Sequence, residues 1–214
     1  MTIKHHLSDE LLMAYAAGDL PEAFNLVIAA HVSMCDECRA RSMACDALGG
    51  AVFEEALSEM SDGSLQACLS RIDTLPQANA RALRRSDGLF PAPLMDYVGG
   101  GLDAVKWRPL GLGARQAILP TGDKGASARL LYIPGGAAMP DHGHNGLELT
   151  LVLQGAFRDE GDRFAPGDIE IADTSVEHTP VAEAGQDCIC LAATQGPLKF
   201  NALLPRLAQP FFRI

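Results

Sequence analysis

Residues 136–148 read Gly136-Ala-Ala-Met-Pro-Asp-His142-Gly-His144-Asn-Gly-Leu-Glu148, and after six further residues comes Gly155. On an extended strand His142 and His144 project to the same side, and Glu148 joins them if the alternation of period 2 continues. Two imidazoles and a carboxylate converging inside a small β-structure form a transition-metal site. The surrounding chain has the matching period. Ala128–Ile133, Leu147–Leu153, Asp168–Ile171, Glu177–Val181 and Cys188–Ala192 are short β-type runs. They are punctuated by Gly135-Gly136, Gly155, Gly161, Pro166-Gly167 and Gly185, which predicts an all-β sandwich or barrel for the C-terminal part.

The stretch from Gly136 through Glu148 to Gly155 resembles the first motif of the cupin superfamily, including both flanking glycines. The resemblance implies a double-stranded β-helix, or jelly-roll barrel, and a third histidine from a second motif. His178 in Glu177-His178-Thr-Pro180 is the candidate. Here the pattern is looser: the spacing from Pro166 to His178 is long and no asparagine follows. The expected barrel ligands are His142, His144, Glu148 and His178, suiting a second divalent metal. Zinc is taken first, though iron, manganese and nickel accept the same donors. Cys188 and Cys190 share a strand face and read as packed, reduced thiols, because strand neighbours two apart make strained disulfides.

Upstream the period changes from 2 to 3.6. Ser8 is a natural N-cap for a helix over 8–17, with Asp9 and Glu10 in its first turn and Gly18 at its end. Leu7 and Leu12 occupy hydrophobic-staple positions. Pro21 suits the first turn of a second helix, which runs to His31, and a third runs from about Arg39 to Met60, weakened at Gly49-Gly50. After the break Ser61-Asp62-Gly63-Ser64, Leu65, Leu69, Ile72 and Leu75 form one apolar stripe on a fourth helix. That stripe packs either on the first three helices or on a partner. Cys45 and Cys68 read as small buried helical cysteines. Pro76, the basic patch Arg81–Arg85 and Pro91-Ala-Pro93 mark the boundary, giving a helical domain at 1–85, a linker at 86–93 and a barrel at 94–214. The apolar tail 203–214 is expected to pack back on the barrel.

The helical part carries its own ligand set, His31-Val-Ser-Met-Cys35-Asp-Glu-Cys38. His31 and Cys35 are four apart and share a helix face, and Cys35-x-x-Cys38 is the spacing with which two thiolates grip one tetrahedral ion. A structural zinc needs a fourth ligand, and the histidines upstream are His5 and His6. The chain as a whole resembles the ChrR-type anti-sigma factors, in which a zinc-binding anti-sigma domain is fused to a cupin-like domain. On that resemblance the zinc ligands are His6, His31, Cys35 and Cys38.

The resemblance further implies a cytoplasmic, non-enzymatic inhibitor. It would bind an extracytoplasmic-function sigma factor in a 1:1 complex, with the cupin needed for release under singlet-oxygen, photooxidative stress. Composition agrees with this. The 214-residue chain carries a formal charge of −10, with seven Lys/Arg against thirteen Asp/Glu in residues 1–90 and ten against fourteen in 91–214. A chain acidic in both halves is a poor binder of phosphate backbone and suits a basic protein partner. No apolar run approaches the roughly 18 residues of a membrane span, and the start lacks a signal peptide's apolar segment. The rival reading is a metal-dependent cupin enzyme of dioxygenase type with an accessory zinc domain, because three histidines and a glutamate leave coordination positions open.

Overall fold

A computed structural model describes residues 2–55, 58–75 and 88–200. Ala56, Leu57, the Arg81–Arg85 patch and the 203–214 tail lie outside the described residues. Helix α1 spans Asp9–Ala17. The Ser8 hydroxyl accepts the Leu11 N–H, and Gly18 ends the helix in the left-handed region at φ 73°. Helix α2 covers Glu22–Met34 and α3 covers Asp36–Glu55. Only Cys35 separates them, so α3 begins three residues earlier than the pattern predicts and Gly49-Gly50 lies inside it. Helix α4 is Ser64–Thr74, and a fifth helix that the periodicity did not reveal, α5, is Ala92–Val98.

The remainder is antiparallel β-structure. A six-stranded sheet is built from β1 (Arg108–Gly111), β2 (Ala114–Ile118), β3 (Ala126–Ile133), β5 (Glu148–Gln154), β8 (Ile169–Ala172) and β11 (Cys188–Gln195). Its order is β1-β2-β3-β11-β5-β8. Two three-stranded sheets face it. One joins β6 (Phe157–Arg158), β7 (Arg163–Phe164) and β10 (Val181–Ala182); the other joins β4 (His142–Gly143), β9 (Glu177–His178) and β12 (Lys199–Phe200). Gly155 turns the chain between β5 and β6 at φ 69°, where a Cβ would stand 2.6 Å from the Asp187 carbonyl oxygen. No side chain fits there, which accounts for the glycine that closes the motif.

The central strands β3, β11 and β5 of the six-stranded sheet are covered on both faces, and strand alternation divides their residues cleanly. Leu130, Leu149, Leu151, Ile189 and Leu191 belong to a core shared with Phe24, Leu26, Val27 and Ile28 of α2 and with Leu94 of α5. Arg129, Glu148, Thr150, Glu170 and Cys190, on the opposite face, line the barrel cavity. Helix α2 is apolar nearly all round because it lies between the other helices and the barrel sheet. Each fully buried Phe, Leu or Ile contributes about 1.5–3 kcal/mol, so helices and barrel are joined by an apolar interface rather than merely tethered.

Two expectations about exposure change. Cys68 is exposed and Cys45 only partly covered, since α4 and the outer face of α3 have nothing packed on them among the described residues. For the same reason Leu65, Leu69, Ile72 and Leu75 are not internal core; Leu69, the least exposed, is 46% accessible.

Candidate metal centres

All six histidines of the chain lie in or beside two clusters. The first joins the N-terminal arm to the α2–α3 junction. Cys35 closes α2 as its C-cap and Cys38 sits in the first turn of α3, a turn later. The arm delivers His6, whose Nδ1 lies 3.3 Å from Cys35 Sγ and 3.6 Å from Cys38 Sγ. Ligand atoms of His6, His31, Cys35 and Cys38 all fall within 4.8 Å of one another. His5 faces away from the thiols: its Nε2 pairs with Asp162 at 2.9 Å and its ring packs on Phe164, centroids 4.4 Å apart.

The protonation states suit a metal. His31 Nδ1–H donates to the Gly167 carbonyl at 3.0 Å, which fixes Nε2 as the lone-pair nitrogen. That Nε2 is buried without a hydrogen-bond partner among the described residues. Burial pulls the His31 pKa down to about 4, keeping the ring neutral. Burial also pushes the Cys38 thiol up to about 11, so it holds its proton until a cation replaces it. An orphaned imidazole nitrogen facing two thiols is a poor apolar core and a good tetrahedral N₂S₂ site.

The second cluster lies between the barrel sheets. His142 of β4 and His178 of β9 are direct cross-strand partners, and His144 follows two residues beyond His142 on the same side. Ring centroids are 4.8 Å apart for His142–His178, 5.2 Å for His144–His178 and 5.3 Å for His142–His144. Glu148, at the start of β5, brings Oε2 to 3.3 Å from His144 Nδ1 and accepts a hydrogen bond from Thr150. Nε2 of His144 and of His178 is buried and unpartnered among the described residues. His142 Nδ1–H donates to the Pro140 carbonyl at 2.8 Å, fixing its tautomer in the same sense.

Two residues of this centre escaped the sequence reading. Asp159 and Glu170 approach His178 Nδ1 at 3.3 and 3.1 Å. Burial works to lower the His178 pKa, but the Glu170 and Asp159 carboxylates outweigh it and push the value up to about 9. Carboxylates behind a metal-binding imidazole fix its orientation and raise its basicity. The available signal was Glu170 itself, a lone acid in the apolar run Ile169-Glu170-Ile171. The space beside these ligands is a cavity of about 70 Å³, walled by Leu131, Ile133, Met139 and Phe157. Cys188 and Cys190 are buried and reduced, with sulfurs 3.5 Å apart.

Comparison with known proteins agrees with this architecture. The family model described as the ChrR cupin-like domain matches residues 98–199. A curated relative, the anti-sigma-E factor ChrR of Cereibacter sphaeroides, is 66% identical over 215 residues, covering all of both chains. Among solved structures, the Rhodobacter sphaeroides SigE complex with the anti-sigma ChrR aligns at 62% identity and TM-score 0.79, over 91% of this chain and 100% of that one. An RmlC-like cupin of Ralstonia eutropha JMP134 shares 22% identity over 49% of this chain and 71% of its own, at TM-score 0.42, a likeness too slight to bear on function. With two-thirds of its residues identical along the whole length of that relative, the chain belongs to the ChrR family of anti-sigma factors.

Proposed function

We propose that this protein inhibits an extracytoplasmic-function sigma factor by binding it 1:1 through the helical module, with residues 1–85 as the inhibitory unit, 86–93 as connector and 94–214 as barrel. The observation that carries the reading is the apolar surface that α4 leaves exposed among the described residues. Leu65, Leu69, Ile72 and Leu75 stand in solvent on one face, and Val52 and Phe53 of α3 are likewise exposed. Apolar surface gathered in this way on an acidic protein suits a partner with an apolar groove and basic surroundings. The net charge argues against direct contact with nucleic acid. Among the described residues no single helix is long and apolar enough to cross a membrane.

In this reading His6, His31, Cys35 and Cys38 hold a structural zinc that locks α2, α3 and the N-terminal arm together. His142, His144, Glu148 and His178 hold a second divalent metal, zinc first among the candidates. The barrel then serves release under singlet oxygen, since imidazole and thiol side chains both react with that oxidant.

Transcription in vitro from a promoter of the sigma factor tests the proposal. Adding the metal-loaded chain at equimolar ratio is expected to silence it, and unaltered transcription at tenfold excess would refute it. Promoter output in light with a photosensitiser, for the intact chain against His142→Ala, tests the barrel's part in release: a blunted response is expected.

A further inference from the structure

Both ends of α2 are fastened to the barrel. At its start, where Pro21 offers no capping side chain, the Asp123 carboxylate accepts the N–H groups of Glu22 and Ala23 at 2.9 and 2.7 Å. At its end, the Gly167 carbonyl holds His31 Nδ1 at 3.0 Å. The next residue, Asp168, accepts the backbone N–H groups of Lys4 at 2.6 Å and His5 at 3.1 Å, the two residues that precede His6. The arm lies directly on this turn: Gly167 has φ 90°, and a Cβ there would stand 2.7 Å from the Ile3 side chain.

We propose that the β7–β8 turn is a positioning element of the N-terminal metal centre, the Gly167 carbonyl orienting His31 and the Asp168 carboxylate holding the arm that presents His6. The barrel thereby governs how firmly the helical module retains its metal. The inference rests on reading His6, His31, Cys35 and Cys38 as a zinc site. Two of the four ligands are set by barrel atoms, while Cys35 and Cys38 are set by the helices alone. The same stretch of chain serves the other centre, because Asp159 and Glu170, which flank the turn in sequence, hold His178 Nδ1. A disturbance at His178 that moves Glu170 therefore has a short path to both histidines of the zinc site, along the backbone to Asp168 and Gly167 and from there through hydrogen bonds to the arm and to His31.

The test uses the full-length chain loaded with cobalt(II). Thiolate-to-cobalt charge transfer reports the Cys35–Cys38 centre alone, because the barrel set consists of imidazoles and a carboxylate. Loss of that band is timed after adding a chelator, for the wild-type chain, for Asp168→Asn and for Lys4→Pro, which deletes an N–H that Asp168 accepts. Both variants are expected to lose cobalt roughly tenfold faster. Both should also shift the ligand-field bands that report tetrahedral geometry, a change that general destabilisation would not cause in the loaded state. Where Asp168→Asn does not fold, Lys4→Pro decides alone, since it leaves the barrel sequence intact. Wild-type release and wild-type bands in the variants would overturn the inference. A wild-type chain with no thiolate band would overturn the zinc reading itself, and the inference with it.

Discussion

His142 and His178 face each other across the β4–β9 pair with ring centroids 4.8 Å apart, although 35 residues intervene between them in the sequence. Behind His178 stand Asp159 and Glu170, and from that side they fix the orientation of the imidazole whose Nε2 would meet the proposed metal. Replacing Glu170 by Gln, or Asp159 by Asn, is expected to weaken the barrel metal about 10–100-fold, with a smaller loss at the N-terminal set. Competition with a chelating dye, followed by metal analysis, measures both sites.

The N-terminal centre should be separable by substitution. Cys35→Ser or Cys38→Ser is expected to cost one zinc per chain and part of the helical circular dichroism, because the thiolates bridge the ends of α2 and α3. His6→Ala should weaken zinc more than His5→Ala, whose ring contacts Asp162 and Phe164 rather than the thiols. Equal losses from the two alanine variants would point to an arm that moves as a unit.

Acid should loosen this module. Burial holds His31 neutral in the folded chain, with its pKa down at about 4. The unfolded chain begins to protonate His31 near pH 6.5, so between 6.5 and 4 it binds more protons than the folded one, and stability falls as pH falls. The loss grows to about 3 kcal/mol at pH 4, and proton competition for the zinc ligand acts in the same direction. Urea melts at pH 7.5, 6 and 5 are expected to show falling midpoints, and His31→Gln should flatten that dependence.

Asp123 offers a test of the joint between helices and barrel. Asp123→Ala removes the acceptor for two N–H groups at the start of α2 and is expected to cost about 1–2 kcal/mol. A thermal melt of the full chain measures it.

What could be read in the sequence was mostly local. Ser8, Gly18, the H-x-x-x-C-x-x-C spacing and the His142-x-His144-x-x-x-Glu148 run carry their geometry within a few residues, whereas His6 and His178 were reached only through the family resemblance. The period of 2 located the five main β-type runs but missed β1 and β2, where Pro109 and paired glycines break the alternation. The docking of α2 on the barrel was not legible. Its signal, a helix apolar on every side, reads equally well as the centre of a helical bundle. Asp123, Gly167 and Asp168 act on residues more than 90 positions away, and nothing in their neighbourhood announces a partner.

The central claim is that the exposed α4 stripe grips a sigma factor. Leu69→Asp with Ile72→Asp places two charges on a face that stands exposed among the described residues, so fold and metal content should be unchanged. Titration of the metal-loaded full chain against the purified extracytoplasmic-function sigma factor measures the claim directly. The wild-type chain is expected to bind 1:1, and the double variant roughly 30-fold or more weaker, as for residues at the centre of an interface. A correctly folded, metal-replete double variant that binds with wild-type affinity would contradict the account.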